Sequence, residues 1–487
     1  MAPHTIEENG THNGTHNGTN GTNGTQNGAQ NPFAWRQVGP LKYSRPLGDM
    51  DKAFVTLGGF GHKLDTECGT IDCVTSFTYQ STTQPDVAKA VREVWKYMRF
   101  EYSVLGAIVD RKNQTMDYYP ITSDAELEEW TDKTFHVVKW PTFDAVSLPK
   151  PDVLPALYFS EKNAATHEYE IIPHSGHWRI DGFGGYQFLD RLFDHLSSGV
   201  RVTSIPSIQE QVEKLPITVE EMAKVPTTPS PEAVALVAKS SKLVSSHMPS
   251  VGMPLSHSPT ALPGPVQNAR VALSKEATIG LLKRCKIKGV RFNGALNAAF
   301  VLALRKLAPE SHKNRDYVAF VPLSIRSILP PPYSGPDYCV SASVLPIPLV
   351  HPRGLGFNEM SENFQRACAV RILPEFLASV RLQAAAFEKA VGFQAPEEWG
   401  PNTTAFLNPL GDIGAFLRLE RDTDIAKIHV TDAYPSTHIM AKEIPIYAYT
   451  FSGELTFMAN YNEAYYSHDE VINLIQTFLA TLDEQLK

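Results

Sequence analysis

Apolar side chains recur along the chain with two periods, one helical and one extended. Val87, Val91, Val94, Trp95 and Met98 share a helical face, and Pro85 sits ahead of them where a missing N–H is harmless. Tyr186, Leu189, Leu192, Phe193 and Leu196 form a second such face, and Val471, Leu474, Ile475, Phe478 and Leu482 a third. Ser123 with Glu126, and Ser467 with Glu470, have capping-box spacing and predict helix starts. Segments 275–285, 294–307 and 359–392 also read as helical. Segments 75–79, 167–172, 270–273, 317–323 and 338–349 read as strands. Segments 446–451 and 455–461 flank Ser452-Gly453-Glu454, which predicts a β-hairpin with glycine in its turn.

Strands and helices alternate over 31–218, and the same style returns over 269–487. This predicts an α/β fold of two similar lobes, with mixed sheets and flanking helices. The stretch between them, 219–268, reads as an inter-lobe linker: eight prolines and many serines fall between Pro226 and Pro265, with a short helical piece around 232–245. Residues 1–30 repeat Asn-Gly-Thr at Asn9, Asn13, Asn17, Asn20 and Asn23. With almost nothing apolar to bury, this tail is expected to be disordered, and without an export signal its five sequons are expected to stay unmodified.

The chain has 487 residues, 43% of them hydrophobic, which is room for two to three domain-sized cores. Its 52 acidic and 44 basic residues are mixed along the sequence, leaving a net charge of -8 and no basic stripe for nucleic acid. Cys68, Cys73, Cys285, Cys339 and Cys368 are odd in number and scattered, with no CxxC pair. That favours a reducing compartment and argues against a structural zinc site. The apolar run 294–304 ends at Arg305-Lys306, well short of the ~20 residues a membrane span needs, so it reads as a buried core helix. The expectation is a cytoplasmic protein with no metal and no membrane segment.

Candidate chemistry centres on His177-Trp178-Arg179-Ile180-Asp181-Gly182, which follows a strand and opens through Phe183-Gly184-Gly185 into a helix. A histidine on a glycine-bounded loop can approach a substrate closely while an aspartate four residues on holds the loop, an arrangement suited to a lone general base. The chain repeats the spacing at His312-Lys313-Asn314-Arg315-Asp316, but within a charged connector and without the glycine, where a solvated loop is expected. There is no GxSxG elbow, GxxxxGK[ST] phosphate loop or HExxH zinc motif. Gly58-Gly59-Phe60-Gly61 lacks dinucleotide-fingerprint spacing and reads as a turn.

The HxxxDG loop between two similar lobes resembles the chloramphenicol acetyltransferase superfamily, which includes BAHD acyltransferases, alcohol acetyltransferases and peptide-synthetase condensation domains. The likeness runs from about Phe33 to Lys487. Its further elements are the buried helix from Asn293 to Ala299, the strand Val321-Pro322-Leu323-Ser324-Ile325-Arg326, the segment Leu407-Asn408-Pro409-Leu410-Gly411, and Phe451-Ser452-Gly453-Glu454-Leu455 with Asn460-Tyr461-Asn462 near the end. Two features depart from parts of the family. Gly176 stands where most condensation domains have a second histidine, and the DFGWG segment of plant BAHD enzymes has only a distant echo in Gly411-Asp412-Ile413-Gly414. Both favour fungal members of the trichothecene 15-O-acetyltransferase type.

The resemblance implies acyl transfer from a thioester to a hydroxyl. His177 would be the base. Asp181 would hold the loop by an ion pair, for which Arg326 is a candidate partner, and Gly182 would permit the tight turn and close packing behind it. Asn408, Ser341 and Ser343 are candidates for an oxyanion donor or substrate contact, with a structural role the leading reading for each. The co-substrate would be acetyl-CoA or another acyl-CoA, with no permanently bound cofactor, and the acceptor a small-molecule alcohol such as a terpenoid or polyketide. Both lobes lie in one chain, so a monomer is expected. Two other readings share the fold: a protein repurposed for cyclisation or ligand binding, and a condensation enzyme acting in trans on a carrier-protein thioester.

Overall fold

The strand Ile71–Gln80 lies at the middle of a six-stranded sheet and is buried along nearly its whole length. In this computed structural model, which describes residues 31–59, 67–139, 148, 154–258, 260–391 and 402–487, all the architecture belongs to one unit, Phe33–Lys487. The strand order is Glu420–Asp422, Lys427–Ser436, Ile71–Gln80, Glu168–Ser175, Ala156–Asn163 and Phe135–Lys139. Helix Val87–Glu101, capped by Asp86, and helix Gly182–Ser197 cover one face. Their apolar stripes meet the sheet through contacts such as Phe193 on Phe77, edge to face at 4.9 Å.

The two outer strands at 420–436 come from the second half of the sequence, so the chain does not divide at 269 as its repeating style predicts. The segment Lys427–Ser436 alternates exposed and buried positions over Lys427–Val430, giving it one apolar face that needs a sheet partner. It finds one in Ile71–Gln80. Arg418 and Arg421 then bind Asp190 and Asp194 on helix Gly182–Ser197, and Arg270 forks onto Asp432 at 2.6 and 2.8 Å. Helix Gly182–Ser197 is thereby clamped by chain from the other half.

The second half builds a four-stranded sheet in the order Ala405–Asp412, Ile444–Phe451, Glu454–Asn462 and Val266–Ala272, and a separate pair, Tyr317–Ser324 with Val344–His351. Helices Phe292–Leu307 and His468–Gln485 fill its core, where Phe300 and Phe457 both meet Phe478 edge-on. The hairpin between Ile444–Phe451 and Glu454–Asn462 turns through Ser452 and Gly453, both at positive φ.

Several boundaries differ from the sequence reading. Tyr338 ends a 3₁₀ turn, residues 339–343 are irregular and the strand begins only at Val344, with carbonyls of this stretch drawn to Arg326. The helical region from 359 breaks into Phe357–Ala369, Pro374–Ala378 and Val380–Val391, with Pro374 opening a new helix; Gly392 lies outside the described residues. In the linker, Ser230 caps and Pro231 opens a longer helix than expected, Pro231–His247. Ser123 does cap helix Asp124–Thr134 by accepting the Glu126 N–H, but the Glu126 carboxylate reaches back to Thr122 rather than Ser123, whereas the Ser467–Glu470 box is complete. His312 ends a short 3₁₀ turn and is half-buried rather than solvated, and Asp316 pairs with His247. The tail 1–30 and Phe60-Gly61 also lie outside the described residues. The five cysteines are free, and among the described residues no helix is long and apolar enough to cross a membrane.

Candidate active site

The loop bearing His177 is fixed at both ends by its own sequence. Strand Glu168–Ser175 stops at Gly176, where the Glu67 carboxylate and the Trp178 indole lie where a Cβ would go, so a side chain here requires Glu67 to move. At the other end Asp181 caps helix Gly182–Ser197, its Oδ1 accepting the Gly184 N–H at 2.8 Å. Between them Arg179 is buried and donates to the carbonyls of Ala107 at 2.8 Å and Val104 at 3.3 Å, and to Ser175 Oγ at 3.0 Å.

The Asp181 carboxylate is 2% exposed and joins the loop to the second half of the chain. Arg326 Nη2 donates to its Oδ2 at 3.0 Å, and the Ser343 N–H donates to the same oxygen at 2.7 Å. Arg326 is itself held by the carbonyls of Tyr338, Cys339 and Ser341, at 3.0, 2.8 and 2.6 Å. Every strong contact of this pair is structural. Close packing at the start of the helix falls to Gly184 and Gly185, not Gly182. A Cβ on Gly184 would run into the Cys339 carbonyl and lie 2.6 Å from Arg326 Nη2, and one on Gly185 would strike Cys73 Sγ. Gly182 is not among the left-handed glycines and has open space where a Cβ would go.

His177 faces an apolar cavity of about 270 Å³. Its imidazole stacks on Phe54 of helix Asp49–Gly59, ring centroids 4.2 Å apart and planes 18° apart. Burial pushes its pKa below the ordinary histidine value; the backbone of His177 and Ile180 and the charge of Asp181 oppose that shift. The ring is therefore neutral at pH 7. Nδ1 is sealed in protein without a hydrogen-bond partner of regular geometry, while the side chain as a whole keeps partial exposure through the cavity it lines. This leaves Nε2 as the nitrogen presented to a ligand.

Alternating residues of strands from the second half supply the opposite wall: Phe320 and Pro322, Val344 and Pro346, then Phe406, Asn408 and Leu410. Asn408 is thus an amide among apolar neighbours, on the cavity face of strand Ala405–Asp412. Ser341 and Ser343 do not line the cavity. Their hydroxyls meet at 3.0 Å, and Ser341 Oγ donates to the Tyr338 carbonyl at 3.0 Å, so they brace the Arg326 site. Cys73 does line the cavity, but burial raises its thiol pKa well above the usual value, so it stays protonated.

The sequence reading missed Phe54, Phe387, Asp72 and Tyr447, which also line this space. A charged Asp72 inside the otherwise apolar start of a central strand was a visible signal. Phe54 and Phe387 gave none, because only the tertiary fold brings their helices to the loop.

No family model matches the chain. It is 24% identical to the acetyltransferase pigO of Monascus ruber over 480 residues, 93% of this chain and 98% of that protein. It is also 24% identical to the O-acetyltransferase pigM of the same organism over 459 residues, 93% of this chain and 87% of that one. Its fold overlays the solved structure of the trichothecene 15-O-acetyltransferase TRI3 of Fusarium sporotrichioides with a TM-score of 0.74 at 15% identity, covering 93% of this chain and 97% of that one. With sheet, crossing strands and helix-capped histidine loop arranged as described, the chain shares the fold of TRI3 and is similar along nearly its whole length to proteins named as acetyltransferases.

Proposed function

We propose that this acyltransferase moves an acyl group, acetyl in the simplest case, from coenzyme A to a hydroxyl of a secondary metabolite, with His177 as general base. The observation that carries the reading is His177 itself: a neutral imidazole, stacked on Phe54, on a loop locked by Asp181 and Arg326, opening into an apolar cavity. Nε2 takes the proton of the acceptor hydroxyl as its oxygen bonds to the thioester carbon. The carbonyl electron pair moves onto oxygen, and in so dry a site that charge needs a donor. Asn408 is the one sequence-nominated donor that reaches the cavity. When the tetrahedral species collapses, the carbon–sulfur bond breaks, and the departing thiolate recovers the proton from the imidazolium. No bond to the protein forms.

The relatives named as acetyltransferases favour an acetyl donor, and TRI3, with its trichothecene acceptor, favours a ring-bearing alcohol. The test is thiol release from acetyl-CoA with a panel of terpenoid and polyketide alcohols. Wild type is expected to turn over at least one of them. His177→Ala is expected to abolish release while leaving the thermal melt unchanged. Undiminished release by His177→Ala would remove the base assignment, and absence of acetyl-CoA binding or consumption would remove the transferase reading.

A further inference from the structure

The mechanism above leaves one buried titratable pair unused at the edge of the same cavity. Asp72 and His174 are direct cross-strand partners, and Ser436 faces Asp72 from the other side, so sheet register sets the three abreast. Asp72 Oδ1 and His174 Nδ1 share a hydrogen bond at 2.5 Å, and Thr70 Oγ1 donates to Asp72 Oδ2 at 3.1 Å. The two paired side chains are 1% and 3% exposed. Asp72, Ser436, Thr437 and Tyr447 all line the cavity, and Tyr447 Oη donates to Thr437 Oγ1 at 2.9 Å. Most of the remaining wall is Phe, Leu, Ile, Val and Pro, with His177, Asp181 and Asn408 as its other polar members, so this is a concentrated polar end.

A carboxylate held in so apolar a setting costs several kcal/mol unless its lone pairs are used. Each carboxylate oxygen has two acceptor sites, and the described contacts use one on each. The group therefore keeps acceptor capacity beside the ligand space. It differs from Asp181, whose oxygens are spent on Gly184, Ser343 and Arg326.

We propose that Asp72, oriented by His174 and Thr70, is a specificity-determining residue that accepts a hydrogen bond from a second hydroxyl of the acceptor, so that the favoured substrate is a diol or polyol on an apolar ring skeleton. This rests on the transferase reading of the cavity. A neutral hydroxyl suits this mostly apolar space better than an ammonium group, whose lost hydration a carboxylate already bonded to His174 and Thr70 would only partly offset. A site built to receive a hydroxyl rejects the analogue lacking it far more strongly than an apolar pocket discriminates by size.

The experiment uses the full chain and pairs of ring alcohols with and without a neighbouring hydroxyl, 1-(2-naphthyl)ethanol against 1-(2-naphthyl)ethane-1,2-diol and cyclic mono-ols against their vicinal diols. Thiol release from acetyl-CoA gives kcat and KM, and calorimetry with the same alcohols, without acyl-CoA, gives binding independent of turnover. Wild type is expected to favour diols about tenfold or more in kcat/KM and in affinity. Asp72→Ala and Asp72→Leu should raise the diol KM and erase that preference, lowering diol kcat/KM about tenfold more than mono-ol kcat/KM, and Asp72→Glu should restore part of it. Equal treatment of mono-ols and diols by wild type would overturn the proposal. So would an equal loss on both in the Asp72 variants, since that marks a structural role. Mono-ol turnover without diol preference would sink this subsite while sparing the transferase reading.

Discussion

Phe54 lies flat on the His177 imidazole, and Phe387 of helix Val380–Val391 meets Phe54 in turn at 6.1 Å. The stack fixes the ring plane and keeps water from one face. Phe54→Leu should leave the fold intact, because leucine still fills an apolar site, but free the imidazole to tilt. About a tenfold fall in kcat with little change in KM is expected, with Phe54→Tyr retaining most activity. An equal fall in kcat/KM for every acceptor through KM alone would assign Phe54 to substrate binding instead.

Activity should also report the protonation of that ring. Burial lowers the His177 pKa, and the base works only when unprotonated, so kcat/KM should rise with pH along a limb that lies below the ordinary value of 6.5 and be flat above it. In Phe54→Leu the desolvation weakens and the limb should move upward. A wild-type limb above pH 7 would contradict this account of the site.

The Asp181–Arg326 pair carries the loop geometry across the two halves of the sequence. Removing one partner strands the other as a buried charge, so Asp181→Ala or Arg326→Ala should cost about 3 to 5 kcal/mol. Arg326→Lys should rescue little, since one ammonium cannot serve the Asp181 carboxylate and three carbonyls together. Urea unfolding of each variant measures the loss directly. A change below about 1 kcal/mol would show that the loop is held elsewhere.

Two glycines of one motif should behave oppositely. Gly184→Ala forces a methyl into the Cys339 carbonyl and against Arg326, with an expected loss of about 1 to 3 kcal/mol and most of the activity. Gly182→Ala meets nothing and should melt like wild type, yet because Gly182 lines the cavity the added methyl should raise the KM of bulky acceptors. Melting curves and acceptor KM values for both variants separate these outcomes.

What the sequence revealed follows from the range of the interactions involved. Helix Gly182–Ser197 was readable from Tyr186 to Leu196 because periodicity and the Asp181 cap are local, and the hairpin at Ser452-Gly453 was readable because two residues set its turn. The crossing of Lys427–Ser436 into the other sheet was not. Its alternation says that one face is buried but not against which partner, and Arg421 with Asp190 lie 231 residues apart. At the site, His177 and Asp181 stood out through their loop, whereas Arg326 could be nominated only through a family likeness. Ser341 and Ser343 looked equivalent to Asn408 in sequence, and only the irregular backbone at 339–343 shows that their hydroxyls turn to the Arg326 brace.

Acid should weaken the protein through a histidine far from the chemistry. His351 is fully buried, with Nε2 2.8 Å from Asn297 Oδ1 and Nδ1 3.0 Å from Asn363 Nδ2. An amide oxygen accepts and an amide nitrogen donates, so Nε2 carries the proton and Nδ1 must stay bare. Protonating Nδ1 would set its new hydrogen against the Asn363 amide, and burial with the nearby charge of Arg305 lowers the pKa to about 3. In the unfolded chain the value is about 6.5. Folded pKa below unfolded pKa means that the unfolded state takes up the proton first. This contribution to stability is therefore whole above pH 6.5 and is lost progressively as pH falls toward 3. At pH 5 the loss is about 2 kcal/mol, at 1.36 kcal/mol per pH unit. His351→Gln should start less stable at pH 7, having a poorer fit between the two asparagines, yet lose about 2 kcal/mol less than wild type between pH 7 and pH 5. Urea titrations of both proteins at the two pH values measure the difference. Parallel losses would show that His351 is not a source of the acid sensitivity.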